Sequence, residues 1–154
     1  MADTHEVAIS RVYDAPRAEL WAAWTEPARL ATWWGKRGWR VDPATVTMDV
    51  RPGGRLALTS VDDRGNEMSQ SLVYREVVEP ERLVIDEPAE GNWHGGAVTT
   101  VALADLGDGR TRMDFHAAIA TTEEMAETAA GGIASTLDRL AEHVSTHHDK
   151  EQSA

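Results

Sequence analysis

His143 and His147 stand four residues apart, a spacing that sets two imidazole rings on one face of a helix and would suit a metal ion. No third ligand accompanies them. Cationic side chains near a helix C-terminus are expected from the helix dipole, so the pair is read as helix-end chemistry rather than as a metal centre. Catalysis would call for a nucleophile beside a base, two carboxylates in separated environments, or a glycine loop leading from strand into helix. The chain has no cysteine, and Gly53-Gly54 precedes a strand, where the pair serves a turn with positive φ. Arg51, Arg55, Tyr74 and His116 are the polar residues an enzymatic pocket would have to gather. His116 follows Phe115 on one strand and faces the opposite way, toward solvent or toward an interior. The expectation is a chain more suited to binding than to catalysis, with no metal and no cofactor.

Aromatic residues offer the other chemistry. Six tryptophans accompany one phenylalanine, and each can bury roughly 150–250 Å². Trp33, Trp34 and Trp39 could form a wall that stacks on a flat ligand. The competing reading is that Trp21, Trp24 and Trp33 anchor two short helices, with Trp24 purely structural. Met48, Leu58, Phe115, Met125, Ile133 and Leu137 are the further candidates for a pocket wall. A packed core has the same periodicity, so both readings stand.

The elements that must position these residues follow from spacing. Val7, Ile9 and Val12-Tyr13 mark a strand, and Asp14-Ala15-Pro16 offers a cap and a first-turn proline for a helix carrying Leu20, Trp21 and Trp24. Thr25-Glu26-Pro27 opens a second short helix that Gly35 closes. From Thr45 the period becomes two, through Val46, Met48 and Val50, the Pro52-Gly53-Gly54 turn, then Leu56 and Leu58. Further strands end at Val77-Val78, return at Leu83-Val84-Ile85, and meet around Leu106-Gly107-Asp108-Gly109. The unpatterned segment Asp86 to Gly96, with Trp93 and His94 in it, reads as a mobile loop at the rim. Thr121, with Glu124 three residues on, reads as a capping box for a helix of about 25 residues carrying Ala126, Ala130, Ile133, Leu137, Leu140 and Val144. Gly131-Gly132 inside it costs roughly 1 kcal/mol per glycine, which a close approach, a bend or simple tolerance would explain.

This order is an α+β layout in which one curved antiparallel sheet covers one long C-terminal helix. A single domain over residues 5–147 with a polar tail at 148–154 is expected. The formal net charge of -11 and scattered basic residues argue against nucleic acid and against an anionic membrane surface. The N-terminus has neither the positive patch nor the apolar run of a signal peptide, and no stretch is long enough to cross a bilayer. A cytoplasmic location is therefore expected.

Several runs resemble one family. Ala15-Pro16-Arg17-Ala18-Glu19-Leu20-Trp21-Ala22-Ala23-Trp24-Thr25-Glu26-Pro27, then Leu30 and Trp33-Trp34-Gly35, is similar to the opening of bacterial activator-of-heat-shock-protein-90-ATPase-like proteins in the START-like (SRPBCC) superfamily. Asp49 to Gly54, Val77 to Val84, Gly109 to Arg112 and Leu137 to His143 resemble its later segments in order. The resemblance implies a helix-grip fold with a cavity between helix and sheet, opening near Trp33, Trp34 and Trp39. It also implies a bacterial source and a link to the stress response. In partners, it implies a small hydrophobic molecule, with a chaperone or a second copy of the chain as alternatives and a polyketide cyclase or aromatase as the enzymatic one. Two departures bear on this. Ile133 follows Gly132 where the family often has tryptophan, which would enlarge or reshape the cavity, and the separate chaperone-binding domain of the eukaryotic activator has no counterpart in this chain.

Overall fold

The computed structural model describes residues 3–89 and 94–153, with the side chains of 146–153 outside the description. The first strand, β1 (Asp3–Tyr13), is followed by helices α1 (Arg17–Thr25) and α2 (Pro27–Trp33). Three short pieces come next: β2 (Trp39–Val41), a single 3-10 turn at Pro43–Thr45, and β3 (Thr47–Met48). The meander is β4 (Arg55–Asp62), β5 (Glu67–Val78), β6 (Arg82–Glu87), β7 (Ala97–Asp105) and β8 (Thr111–Thr121), and α3 (Glu123–Ser153) closes the chain. The strands form one antiparallel sheet in the order β1-β8-β7-β6-β5-β4-β2, with β3 also paired to β4. Alternation fixes its inner face. On β8 the residues Thr111, Met113, Phe115, Ala117, Ile119 and Thr121 are all buried, while those between them are not.

Helix α3 packs on β1, β8, α1 and α2. Its large buried anchors Leu137, Leu140 and Val144 run from the middle of the helix onward, each contributing about 1.5–3 kcal/mol by burial. Polar contacts fix its register. Tyr13 donates its hydroxyl to the Leu137 carbonyl at 3.3 Å, and Arg11 pairs with Asp138. Arg139 donates from Nη1 to the carbonyls of Trp34, Gly35 and Trp39 at 3.1, 2.7 and 3.0 Å, and from Nη2 to that of Thr32 at 3.1 Å. The carbonyls left open at the end of α2 are thereby satisfied from another helix.

Local capping differs from expectation in two places. Pro16 occupies the cap position of α1 and no side chain caps that helix; its carbonyl instead accepts from the amides of Glu19 and Leu20. At α3 the cap is Thr122, whose Oγ1 accepts from the Met125 amide at 3.2 Å. Thr121 is claimed by the sheet as the last, buried residue of β8, so the capping box expected from Thr121 and Glu124 gives way to a simple cap by Thr122, with Met125 rather than an acidic residue three positions on.

The two glycine pairs have unlike causes. Gly53 takes a φ of +84°, as its turn requires, whereas a Cβ on Gly54 would lie 1.9 Å from the Asp49 carbonyl oxygen. A Cβ on Gly131 would meet nothing, and one on Gly132 only the aliphatic stem of Lys36. No part of the described chain presses closely on α3 there.

Candidate functional site

The pairing register sets Tyr74, Ile85, Thr99, Ala117 and Val7 in one inward-facing row across five strands. The neighbouring row carries Glu87, Ala97 and Ile119. The inner face is therefore lined by small side chains at Ala97, Thr99 and Ala117. Thr99 sits on an interior strand between buried Ala97 and Val101, yet is only half-buried. The apolar series of α3 has the same gradient, with Ala126, Ala129 and Ala130 ahead of Ile133, Leu137 and Leu140. Large side chains hold the helix down from Ile133 onward, and small ones occupy the turns before it.

A chain of hydrogen bonds crosses this inner face. Trp34 Nε1 donates to Gln70 Oε1 at 3.0 Å, which leaves the Gln70 amide nitrogen to donate to Glu87 Oε2 at 3.1 Å. The other Glu87 oxygen, Oε1, lies 3.1 Å from His94 Nε2. His94 Nδ1 accepts from the Gly96 amide at 3.0 Å, so the ring proton belongs on Nε2 and points at Glu87. Glu87 thus accepts from two neutral donors, one on each oxygen. The His94 side chain is 1% exposed and that of Glu87 is 16% exposed.

Two hydroxyls on the inner face, Ser60 Oγ and Tyr74 OH, are buried without a hydrogen-bond partner among the described residues, as is the structural Trp24 Nε1. Leaving a buried polar group unmatched costs about 1–3 kcal/mol, which a polar group brought in by a ligand would recover. Burial pushes the Tyr74 phenol well above the ordinary tyrosine range.

The expected site residues separate into groups. Trp33 is core, fully buried with Nε1 bonded to the Ala23 carbonyl at 3.0 Å and its ring set edge-on to Trp24 at 4.7 Å. Leu58, Phe115 and Leu137 are buried, while Trp34, Trp39, Met48 and Ile133 are half-buried. Met125 is 40% exposed in the first turn of α3, where no strand covers it. Arg51 is exposed and paired with Asp49, Arg55 points outward, and His116 lies on the outer face beside Glu6 at 3.3 Å. Of that polar set only Tyr74 faces inward. His143 accepts from Arg29 Nε at 3.2 Å; the side chain of His147 lies outside the described residues. Trp93 lies outside them as well. His94 is a buried partner in the polar chain rather than part of a mobile rim. Gln70 and Glu87 were not singled out from sequence, although each is a polar residue at the inward parity of its strand, with Leu72 and Ile85 as neighbours two positions away.

An antiparallel sheet gripping one long C-terminal helix, with two short helices after the first strand, defines the helix-grip, START-like class. Within it the chain belongs to the family of activator of Hsp90 ATPase homolog 1-like proteins, whose profile matches residues 14–145. The expected family resemblance and fold are thus both met. Among solved structures, a protein from Arthrobacter aurescens is 23% identical with a TM-score of 0.80, covering 92% of this chain and 86% of its own. The AHSA1 (SPO3351) protein from Silicibacter pomeroyi is 19% identical with a TM-score of 0.78, covering 94% and 100%. CalU16 from Micromonospora echinospora is 27% identical with a TM-score of 0.69, covering 96% and 80%. A search of curated proteins finds no match. Among the described residues no helix is long and apolar enough to cross a membrane.

Proposed function

We propose that the chain binds one small apolar or aromatic molecule between α3 and the inner face of the sheet, without carrying out chemistry on it. The observation that carries this reading is the Tyr74 hydroxyl, buried and unmatched on an inner face lined by small residues. Such a group is stabilised by a ligand oxygen or nitrogen more than by the empty protein. Trp34, Trp39, Met48, Leu58, Phe115 and Ile133 supply apolar surface around it, at about 25 cal/mol per Å² less the cost of immobilising the ligand.

Tyr74→Phe tests the reading through two signs. Removing an unmatched buried hydroxyl should raise the melting temperature of the free protein, while calorimetry with naphthalenemethanol as probe should show several-fold weaker binding. A variant that melts lower and binds the probe as well as the wild type removes Tyr74 from the site. Absence of binding by any naphthalene derivative to the wild-type protein ends the reading altogether.

Membership of a family described by ATPase activation supports a second reading, a co-chaperone-like interaction. Added to a bacterial Hsp90-type chaperone, the protein should then raise ATP turnover; unchanged turnover and no complex dismiss it.

A further inference from the structure

Building on the ligand-binding reading, we propose that the molecule bound on the inner face carries a protonated amine, recognised by Glu87 beside the Trp34 indole. The carboxylate is largely buried, and both of its described partners are neutral. Gln70 is an amide, and His94 is held as a neutral imidazole because its Nδ1 is occupied by the Gly96 N–H. No Lys or Arg side chain forms an ion pair with Glu87 among the described residues, where ten other carboxylates do pair with an arginine.

A buried carboxylate without a counter-charge is costly and favours a cation that can supply one. Its two oxygens have accepted one hydrogen bond each, and a carboxylate has about four acceptor sites, so an ammonium can be added without displacing either partner. The strand neighbour of Glu87 across the register is Ala97, whose side chain is a single methyl group. Gln70 bonds both Glu87 and the Trp34 indole, which places an aromatic ring one amide away from the negative charge. The indole turns its N–H edge toward Gln70, so the ring adds apolar bulk while the carboxylate supplies the charge, a combination that favours an organic cation on an apolar body. The same charge rejects fatty acids and other anionic amphiphiles, which would bring a second negative charge into the site.

Three probes that share one ring separate the possibilities: naphthylmethylamine, naphthalenemethanol and naphthylacetate, measured by calorimetry on the full chain at neutral pH. The amine should bind at least about tenfold more tightly than the alcohol, and the carboxylate should bind most weakly of the three. Glu87→Gln should erase the preference for the amine over the alcohol, read as the ratio of the two affinities in the variant. This wild-type ranking decides the matter even if the variant folds poorly. Binding of the alcohol with no preference for the amine, or tight binding of the carboxylate, overturns the charge assignment and leaves the apolar site standing. No binding of any of the three overturns both.

Discussion

Arg139→Met should separate the long helix from the element that carries Trp34 and Trp39. Methionine keeps the apolar stem that packs along α3 and removes the guanidinium fork. The fork serves four carbonyls, three of them from the two hydrogens of Nη1, so at least one of these bonds is shared. Bonds to a charged donor contribute about 1.5–3 kcal/mol each in favourable cases, and sharing makes the sum far less than additive. Partial burial lowers the Arg139 pKa through desolvation, an opposing cost that disappears with the charge. The net loss should be about 2–4 kcal/mol. For a chain of 154 residues, each kcal/mol moves the melting temperature by about 2–4 °C, so R139M should melt roughly 5–15 °C below the wild type. Arg139→Lys should recover only part of this, because an ammonium on a flexible stem cannot reproduce the planar fork. Arg37→Ala, which removes an exposed pair with Glu142, serves as the control and should melt with the wild type. Differential scanning calorimetry at matched concentration reads all three. R139M melting together with the wild type would refute the view that this one side chain ties the two helices together.

Gly131→Ala should stabilise the protein by about 0.5–1 kcal/mol, since its Cβ meets nothing and the φ is not positive; a lower melting temperature would reveal a close approach there. The chain has two tyrosines, Tyr13 and Tyr74, and burial raises both above the ordinary value of 10.0. Because the folded values are the higher ones, the neutral phenols support the fold fully below the ordinary value, and this support is lost as the pH rises through the folded ones. Tyrosinate absorbance should therefore appear in one step together with loss of the near-ultraviolet circular dichroism, and a gradual rise around the ordinary value in folded protein would contradict it. Ile133→Trp should abolish binding of naphthalenemethanol while the protein remains folded, because the larger ring competes for the ligand's space; unchanged calorimetric affinity would place Ile133 away from the site.

The sequence by itself determined the order of the elements and most of their faces. Period-two alternation through Leu56, Leu58, Val101, Leu103, Met113 and Phe115 could serve only a half-buried strand, and the spacing of Leu137, Leu140 and Val144 only a helix with one buried stripe. Such patterns are read from neighbours a few residues apart, where chain geometry leaves few choices. The assignment of Thr121 as a cap failed because a threonine at the end of a strand and one at the start of a helix look alike until the ladder with β1 claims one of them. Tertiary structure decided the rest. Gln70 lies 36 residues from Trp34 and 17 from Glu87, and Arg139 lies 100 to 107 residues from the carbonyls it binds. Their meeting depends on strand order and register, which no local period encodes. The same holds for Gly54, whose missing side chain is explained only by the Asp49 carbonyl folded against it. Local chemistry chooses the secondary structure of a segment, whereas a site is made of groups that only packing brings into contact.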